Sequence, residues 1–510
     1  MTTPLVTPLK KHKIQRKIVL APLHGLPIDE VDWTKNLLAE HIWMDLLYKA
    51  YSSDYYKLFS SLLDVIDTLV PQPNVASGLV SDFALVPEDK RADFIQNNRE
   101  IIAKCFPPPI GKPLSLFLEC PLGWLIPEES KVKDDRDVQE AVEALADSIL
   151  RLWPAKNEYV GHIRVLPFTR FCKNGKVHFL DDQKFEKIID LLSKYPGGLT
   201  IDEHLECQQF CRTSMGCILG MREMKNEWSK YFWSHNMELT DCIYPSDTPS
   251  KEDPEEKKLV EICEYNLKLV DEYFNGVFLA YKSDPYDPIN DEINIGLLSR
   301  IHSLYHKIIR NCEKGEVEVA RILLRCLADT AIAYCYLIKM DSDELYQKFF
   351  EYSKGREKLL LLHIQDNFPD HPTPSGESVT SLIDSLGGPF SPSTIDIDLA
   401  NWTDISPRNM AEDLGLKHVY NIIYEPTSAD IHGLWSNLKN FHLTPCLNPL
   451  HRLHKLPFGG KVGLDKAPVD CSTSVLAAVI RKSHEKFGWP VPADDFKIVG
   501  NCNPSWMQIR

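Results

Sequence analysis

Apolar residues recur at helical spacing along most of this chain, and the most informative such run spans residues 317–338. In that run Glu318, Arg321, Arg325, Asp329 and Tyr336 fall within one narrow arc at about 100° per residue. Most other positions of the run are Leu, Ile, Ala, Val, Cys or Tyr. A helix that is apolar nearly all round is a buried helix. Burying two guanidinium groups costs several kcal/mol each unless they are paired, so this stripe must meet partners or a ligand. Pairing of Arg321 and Arg325 with Glu318 and Asp329 is the structural reading, and an anion-binding or His-orienting pocket is the functional one.

The same periodicity predicts helices over 28–70, 55–69 and 137–153. The Cys105-Phe106-Pro107-Pro108-Pro109 run interrupts the series. Asn174-Gly175 lies between β-prone residues, so 171–179 reads as a hairpin. Residues 244–258 are Pro-rich and acidic without apolar periodicity, and they read as a linker. Helices are then predicted over 259–279, 293–311, 317–339 and 343–364. Residues 366–401 are rich in Pro, Ser and Gly and read as a loop excursion. Ser406-Pro407 is an N-cap and N1 pair opening a helix to about Tyr424. Pro426 should end it, with Thr427 capping the next helix and Asp430 at N3. A last helix is expected over 472–487.

The expected architecture is mainly α. It has a tail over 1–26, an N-terminal mostly helical region over 27–243 with a small β-hairpin, the linker, a helical bundle over 259–445, and an extension over 446–510 with one helix.

Composition narrows the function classes. Of 510 residues, 44% are hydrophobic and 25% charged, which is ordinary for a globular protein. A net charge of −15, from 57 basic and 72 acidic residues, disfavours nucleic-acid binding through bulk charge. The only dense basic run, residues 10–17, reads as a solvated tail. The 14 cysteines lack the spacing of a disulfide scaffold and suggest a reducing, cytoplasmic setting. No signal peptide and no membrane span are expected.

Three further groups carry chemistry. Tyr420, Tyr424, Ser428 and His432 recur every four residues. With a break at Pro426, Ser428 and His432 would sit in a helix's first turn, where the dipole favours a neutral imidazole able to act as a base. His302 and His306 share a helix face, but two ligands do not make a metal site. Arg300 and His306 are also spaced, with five residues between, like the Arg and His of metal-independent RNases. His204, Cys207, Cys211 and Cys217 lack structural-zinc spacing and read as core residues. No metal and no cofactor is expected. Phosphate-binding Gly loops and the GxSxG and HExxH motifs are absent.

Ala320-Arg321-x-Leu323-x-Arg325-x-x-x-Asp329, then Tyr336-Leu337, Phe349, Trp402 and Ala411-Glu412, followed by the Tyr420–His432 series, resembles a prokaryotic all-helical domain family of unknown function over about 260–445. The acidic member here is Asp329, where that family more often carries Glu. In outline the family is similar to HEPN bundles, many of which are RNases or nucleotide-binding modules in bacterial conflict systems. Glu425 stands where the HEPN Arg would precede His432, so that motif is absent there.

The resemblance implies a phage-defence protein that binds or cleaves RNA or a nucleotide. His432 would be the base on a ribose hydroxyl, Arg321 or Arg325 would stabilise charge on phosphorus, Tyr424 and Ser428 would position the phosphate with Tyr420 as a further binding residue, and Asp329 would orient an Arg or the His. The alternative is a non-catalytic binding or scaffold protein, with a protein partner or a second copy of itself, whose polar stripe only specifies packing.

Overall fold

A computed structural model describes residues 13–15, 18–20, 32–70, 77–154, 158–173, 183–195, 199–221, 227–245, 254–367, 395–451, 454–458, 465–492 and 494–498. The protein is mainly α-helical. The chain forms two compact units. The first comprises residues 1–246 together with 445–456, and the second comprises 247–444 together with 457–510.

The first unit is built on Ile42–Tyr51, Tyr55–Ile66, Pro108–Ser115, Asp135–Leu152, Glu158–Lys173, Ile201–Met221 and Glu227–Leu239, with shorter helices between. The helix before Pro107 does end, at Cys105, but Pro108 and Pro109 open a new helix, where a missing N–H costs nothing. Asp134 caps Asp135–Leu152 by accepting from the Asp137 N–H. The core is aromatic. The fully buried Trp43 stacks on Phe59 and Phe106 at 5.7 and 5.8 Å and meets the edge of Phe83 at 5.3 Å.

Among the described residues β structure is sparse, and the start of the hairpin expected over 171–179 is helical. Phe171, Cys172 and Lys173 are the last turn of Glu158–Lys173, because the apolar series Val160, Ile163, Leu166 carries the helix through them. The rest of that expected hairpin, Asn174–Phe179, lies outside the described residues. Instead Lys13–Gln15 pairs antiparallel with Ile18–Leu20, Lys13 opposite Leu20, inside the stretch read as a tail. A second ribbon joins Leu443–Pro445 to Lys455–Pro457.

In the second unit the Val317–Met340 helix is central, as its apolar pattern requires. Ala320, Leu324, Leu327, Ala331 and Cys335 are buried, and Asp341 ends the helix in the left-handed conformation. Pro254–Ala280, Ile289–Glu313 and Ala467–Phe487 share its core. The last of these falls in the stretch expected as an extension, yet it is a core element. The Tyr305 hydroxyl bonds the Thr473 hydroxyl at 3.0 Å, and Tyr334 bonds Ser483 at 2.8 Å.

The helix expected over 407–424 is divided. Ser406 caps Pro407–Asp413, and Gly415, at φ +73°, turns the chain before Lys417–Val419. From there helix runs without a break through a wide π turn, Tyr420–Tyr424, into Glu425–Ile431. The expected stop at Pro426 does not occur. The Glu425 N–H reaches back five residues to the Tyr420 carbonyl, and this widened turn accommodates a proline that has no N–H to give. Thr427 is therefore interior, donating to the Ile423 carbonyl at 2.6 Å, and caps nothing.

Candidate functional site

The polar arc of Val317–Met340 meets the Tyr420–His442 stretch, and nearly every group on it finds a partner within the second unit. Arg321 Nε donates to Asp430 Oδ2 at 2.9 Å, and Asp430 is almost fully buried. Asn437 Nδ2 approaches the other Asp430 oxygen at 3.4 Å and bonds Glu318 Oε1 at 2.9 Å. His442 Nε2 bonds the same Glu318 oxygen at 3.0 Å. One helical turn on, Arg325 Nε donates to Ser428 Oγ at 3.2 Å, and its Nη1 lies 3.6 Å from Asp329 Oδ2. The Arg325 guanidinium sits 3.3 Å over the Tyr424 ring, which stacks on Tyr420 at 4.8 Å. Burial pushes the Tyr424 hydroxyl up, Asp329 adds to the rise, and Arg325 opposes it.

The structure thus brings together Arg321, Arg325, Asp329, Tyr420, Tyr424 and Ser428, but it moves the pairings. Arg321 binds Asp430 rather than Glu318, and Tyr336 leaves the arc to pack in the core near Trp402. Asp430 was legible only as a capping residue, because a stop at Pro426 would have turned it away.

His432 does not join this group. It lies at the C-terminal end of Glu425–Ile431, its N–H bonded to the Ser428 carbonyl, with Gly433 at φ +58° closing the helix. A first-turn position for His432 is therefore corrected, since the helix end beside it presents carbonyls. Its side chain is exposed and, among the described residues, makes no hydrogen bond or ion pair to either guanidinium.

Arg300 and His306 also diverge. Arg300 Nε donates to Thr330 Oγ1 at 3.2 Å on the central helix. His306 and His302 instead both place Nε2 2.8 Å from Asp271 Oδ1 on Pro254–Ala280. Asp271 is the third ligand-type group that the sequence did not reveal, because it lies on another helix. Burial pushes the Asp271 carboxyl up, but hydrogen bonds from the two histidines outweigh this and hold it below its usual range.

Among the described residues, two sets of side chains place metal-ligand atoms within 4.8 Å of one another: Asp271, His302 and His306, and in the first unit Cys242, Cys446, His451 and His454. The His204 group is not among them. Cys207 and Cys211 are buried, and His204 meets the edge of the Tyr195 ring at 5.2 Å. The side chain of Cys217 lies outside the described residues.

No helix among the described residues is long and apolar enough to cross a membrane. No curated protein and no solved structure matches the chain. Residues 291–446, which carry the arginine stripe and nearly all its partners, match a family of unknown function (DUF5677).

Proposed function

We propose that the second unit is a non-catalytic helical binding module in which the arginine stripe is a structural lock. The observation that carries this reading is the engagement of both guanidinium groups by the protein itself, Arg321 by Asp430 and Arg325 by Ser428, Asp329 and the Tyr424 ring. A group that stabilises developing charge needs donors aimed at an open position, whereas the Nε–H of each arginine is already given to an oxygen of the protein itself. His432, the base in the catalytic reading, lies outside the network.

The surface beside the lock supports recognition. Ile431, Leu434, Trp435 and Leu438 are exposed within eight residues, Trp435 at 64%. Large aromatic and aliphatic side chains grouped on a surface mark contact sites, and Trp is the residue most enriched among binding hot spots.

The competing reading is a HEPN-like RNase serving in phage defence. Total RNA incubated with the full chain, with and without EDTA, separates the two. The binding-module reading predicts that the wild type cleaves no more RNA than His432→Ala or Arg325→Lys. Cleavage by the wild type that both substitutions abolish, in variants that remain folded by circular dichroism, would overturn it.

A further inference from the structure

Cys242 follows the Glu227–Leu239 helix, and Cys446, His451 and His454 lie on the segment by which the chain returns to the first unit. Cys446, His451 and His454 fall within nine residues of one another, but Cys242 is remote in sequence, since nearly all of the residues between it and Cys446 belong to the other unit. In space Cys242 Sγ is 3.2 Å from His454 Nε2, and Cys446 Sγ is 3.8 Å from His451 Nδ1. A tetrahedral Zn2+ with bonds of about 2.3 Å to sulfur and 2.0–2.1 Å to nitrogen holds unlike ligands about 3.5 Å apart. The two separations bracket that value.

The surroundings are built in the way a metal site requires. His451 Nε2 faces the Asn236 carbonyl at 3.0 Å and Thr240 Oγ1 at 3.3 Å. A proton on Nε2, donated to that carbonyl, leaves the Nδ1 lone pair directed at the cluster, and such a partner is the usual orienting contact of a metal-bound histidine. The Ile243 N–H donates to Cys446 Sγ at 3.4 Å and so orients that sulfur. Asn448 Nδ2 lies 2.8 Å from both Thr240 Oγ1 and the Asp241 carbonyl, fixing the segment that carries Cys242. Cys446 and His451 are buried, while Cys242 and His454 are partly exposed and give an ion a way in.

We propose that Cys242, Cys446, His451 and His454 bind one zinc ion as a closed structural site. Four protein donors fill the tetrahedron and leave no position for water or substrate, so the role is structural. Two thiolates and two imidazoles select zinc over harder cations, whereas Asp271 with His302 and His306 lacks a sulfur ligand. The chain leaves the first unit at Ser246 and re-enters it at Pro445. Cys242 and Cys446 therefore flank the whole excursion, and the ion would pin its two ends, offsetting the entropy of closing a long loop. This revises the expectation of no metal.

The test is elemental analysis of the full chain, purified without chelator and dialysed. About one zinc per chain is expected. Cys242→Ser and His451→Gln are each expected to lower retained zinc about tenfold or more, while His302→Gln leaves it unchanged. Because a ligand variant can misfold, the metal-stripped wild type is also titrated with Co2+. The visible absorption of tetrahedral, thiolate-bound cobalt should appear, saturate at one equivalent and be displaced by zinc. A chain that purifies without zinc and gives no such spectrum would overturn the proposal. Full zinc retention in Cys242→Ser, or a Cys242–Cys446 disulfide in protein kept under reducing conditions, would overturn it equally.

Discussion

At pH 8, Glu40→Gln is expected to raise the unfolding free energy of the first unit by about 3 kcal/mol, and near pH 4 to leave it almost unchanged. Glu40 is fully buried. Its carboxyl accepts the Ser81 N–H at 2.8 Å and the Ser81 hydroxyl at 2.5 Å. Burial pushes the carboxyl up to about 7; the Ser81 hydrogen bonds oppose the rise and the Asp82 charge adds to it. The unfolded carboxyl titrates near 4.5. Below that value both states hold the proton and Glu40 has no effect on stability. Between about 4.5 and 7 the folded state keeps a proton that the unfolded state has lost, so stability falls as pH rises. Above 7 the folded chain carries a buried anion, and the cost is fully present. Glutamine matches the shape without the charge.

The next residue tilts the other way. His41 is fully buried, with Nδ1 2.7 Å from the Leu37 carbonyl, and burial lowers its pKa to about 4. The unfolded imidazole binds a proton below about 6.5, so His41 makes stability fall as pH drops from there toward 4. The two slopes oppose each other between 4.5 and 6.5. Denaturant midpoints measured across pH by tryptophan fluorescence should therefore change little in the wild type. In Glu40→Gln they should rise steadily with pH. A variant whose pH profile parallels the wild type would show that Glu40 is ionised in the folded chain without penalty.

Arg321→Met is expected to destabilise the second unit by about 3 kcal/mol. The substitution leaves the Asp430 carboxylate enclosed, with the long contact from Asn437 Nδ2 at 3.4 Å as its remaining side-chain partner among the described residues. Removing one member of a buried ion pair costs about 3–5 kcal/mol, and the low end applies because the Arg321 side chain remains 26% exposed. Arg325→Met should cost less, about 1–2 kcal/mol, since it removes a hydrogen bond to a neutral serine and a cation–π contact and leaves no enclosed anion. Urea unfolding reads both values. Equal losses in the two variants would show that the Asp430 contact has no special weight.

The helical architecture was legible because apolar spacing is a local signal. Val317–Met340 could be read almost to its ends, and its polar arc correctly marked where another segment must dock. The docking partner was not legible, since Asp430 lies 109 positions from Arg321 and looks like an ordinary capping residue. The error at Pro426 spread. A proline ordinarily ends a helix, and only the π turn at Tyr420–Tyr424 lets this one continue, which turns Asp430 and Ser428 toward the stripe and leaves His432 at the helix end. Arg300 and His306 show the limit of a motif judged by spacing alone. Six residues apart on a helix, they point about 120° apart and meet different neighbours. The Cys242 cluster had only a partial linear signature: Cys446, His451 and His454 are close in sequence, but the fourth ligand comes from the other end of a long excursion. Ala467–Phe487 was read as a helix from 472 but placed in an extension, and its place in the core was missed because Ala, Ser and Thr fit a tight core but do not announce one.

The most direct measurement of the structural role of the stripe is a double-mutant cycle in unfolding free energy on Arg321→Met, Asp430→Leu and the double variant. A structural lock predicts a coupling of about 2 kcal/mol or more, with the double variant regaining most of the stability lost by Arg321→Met, because an enclosed apolar pair replaces an enclosed ion pair. Effects of the two single variants that simply add in the double variant, with no coupling, would contradict it and show that the Arg321–Asp430 contact does not lock the fold.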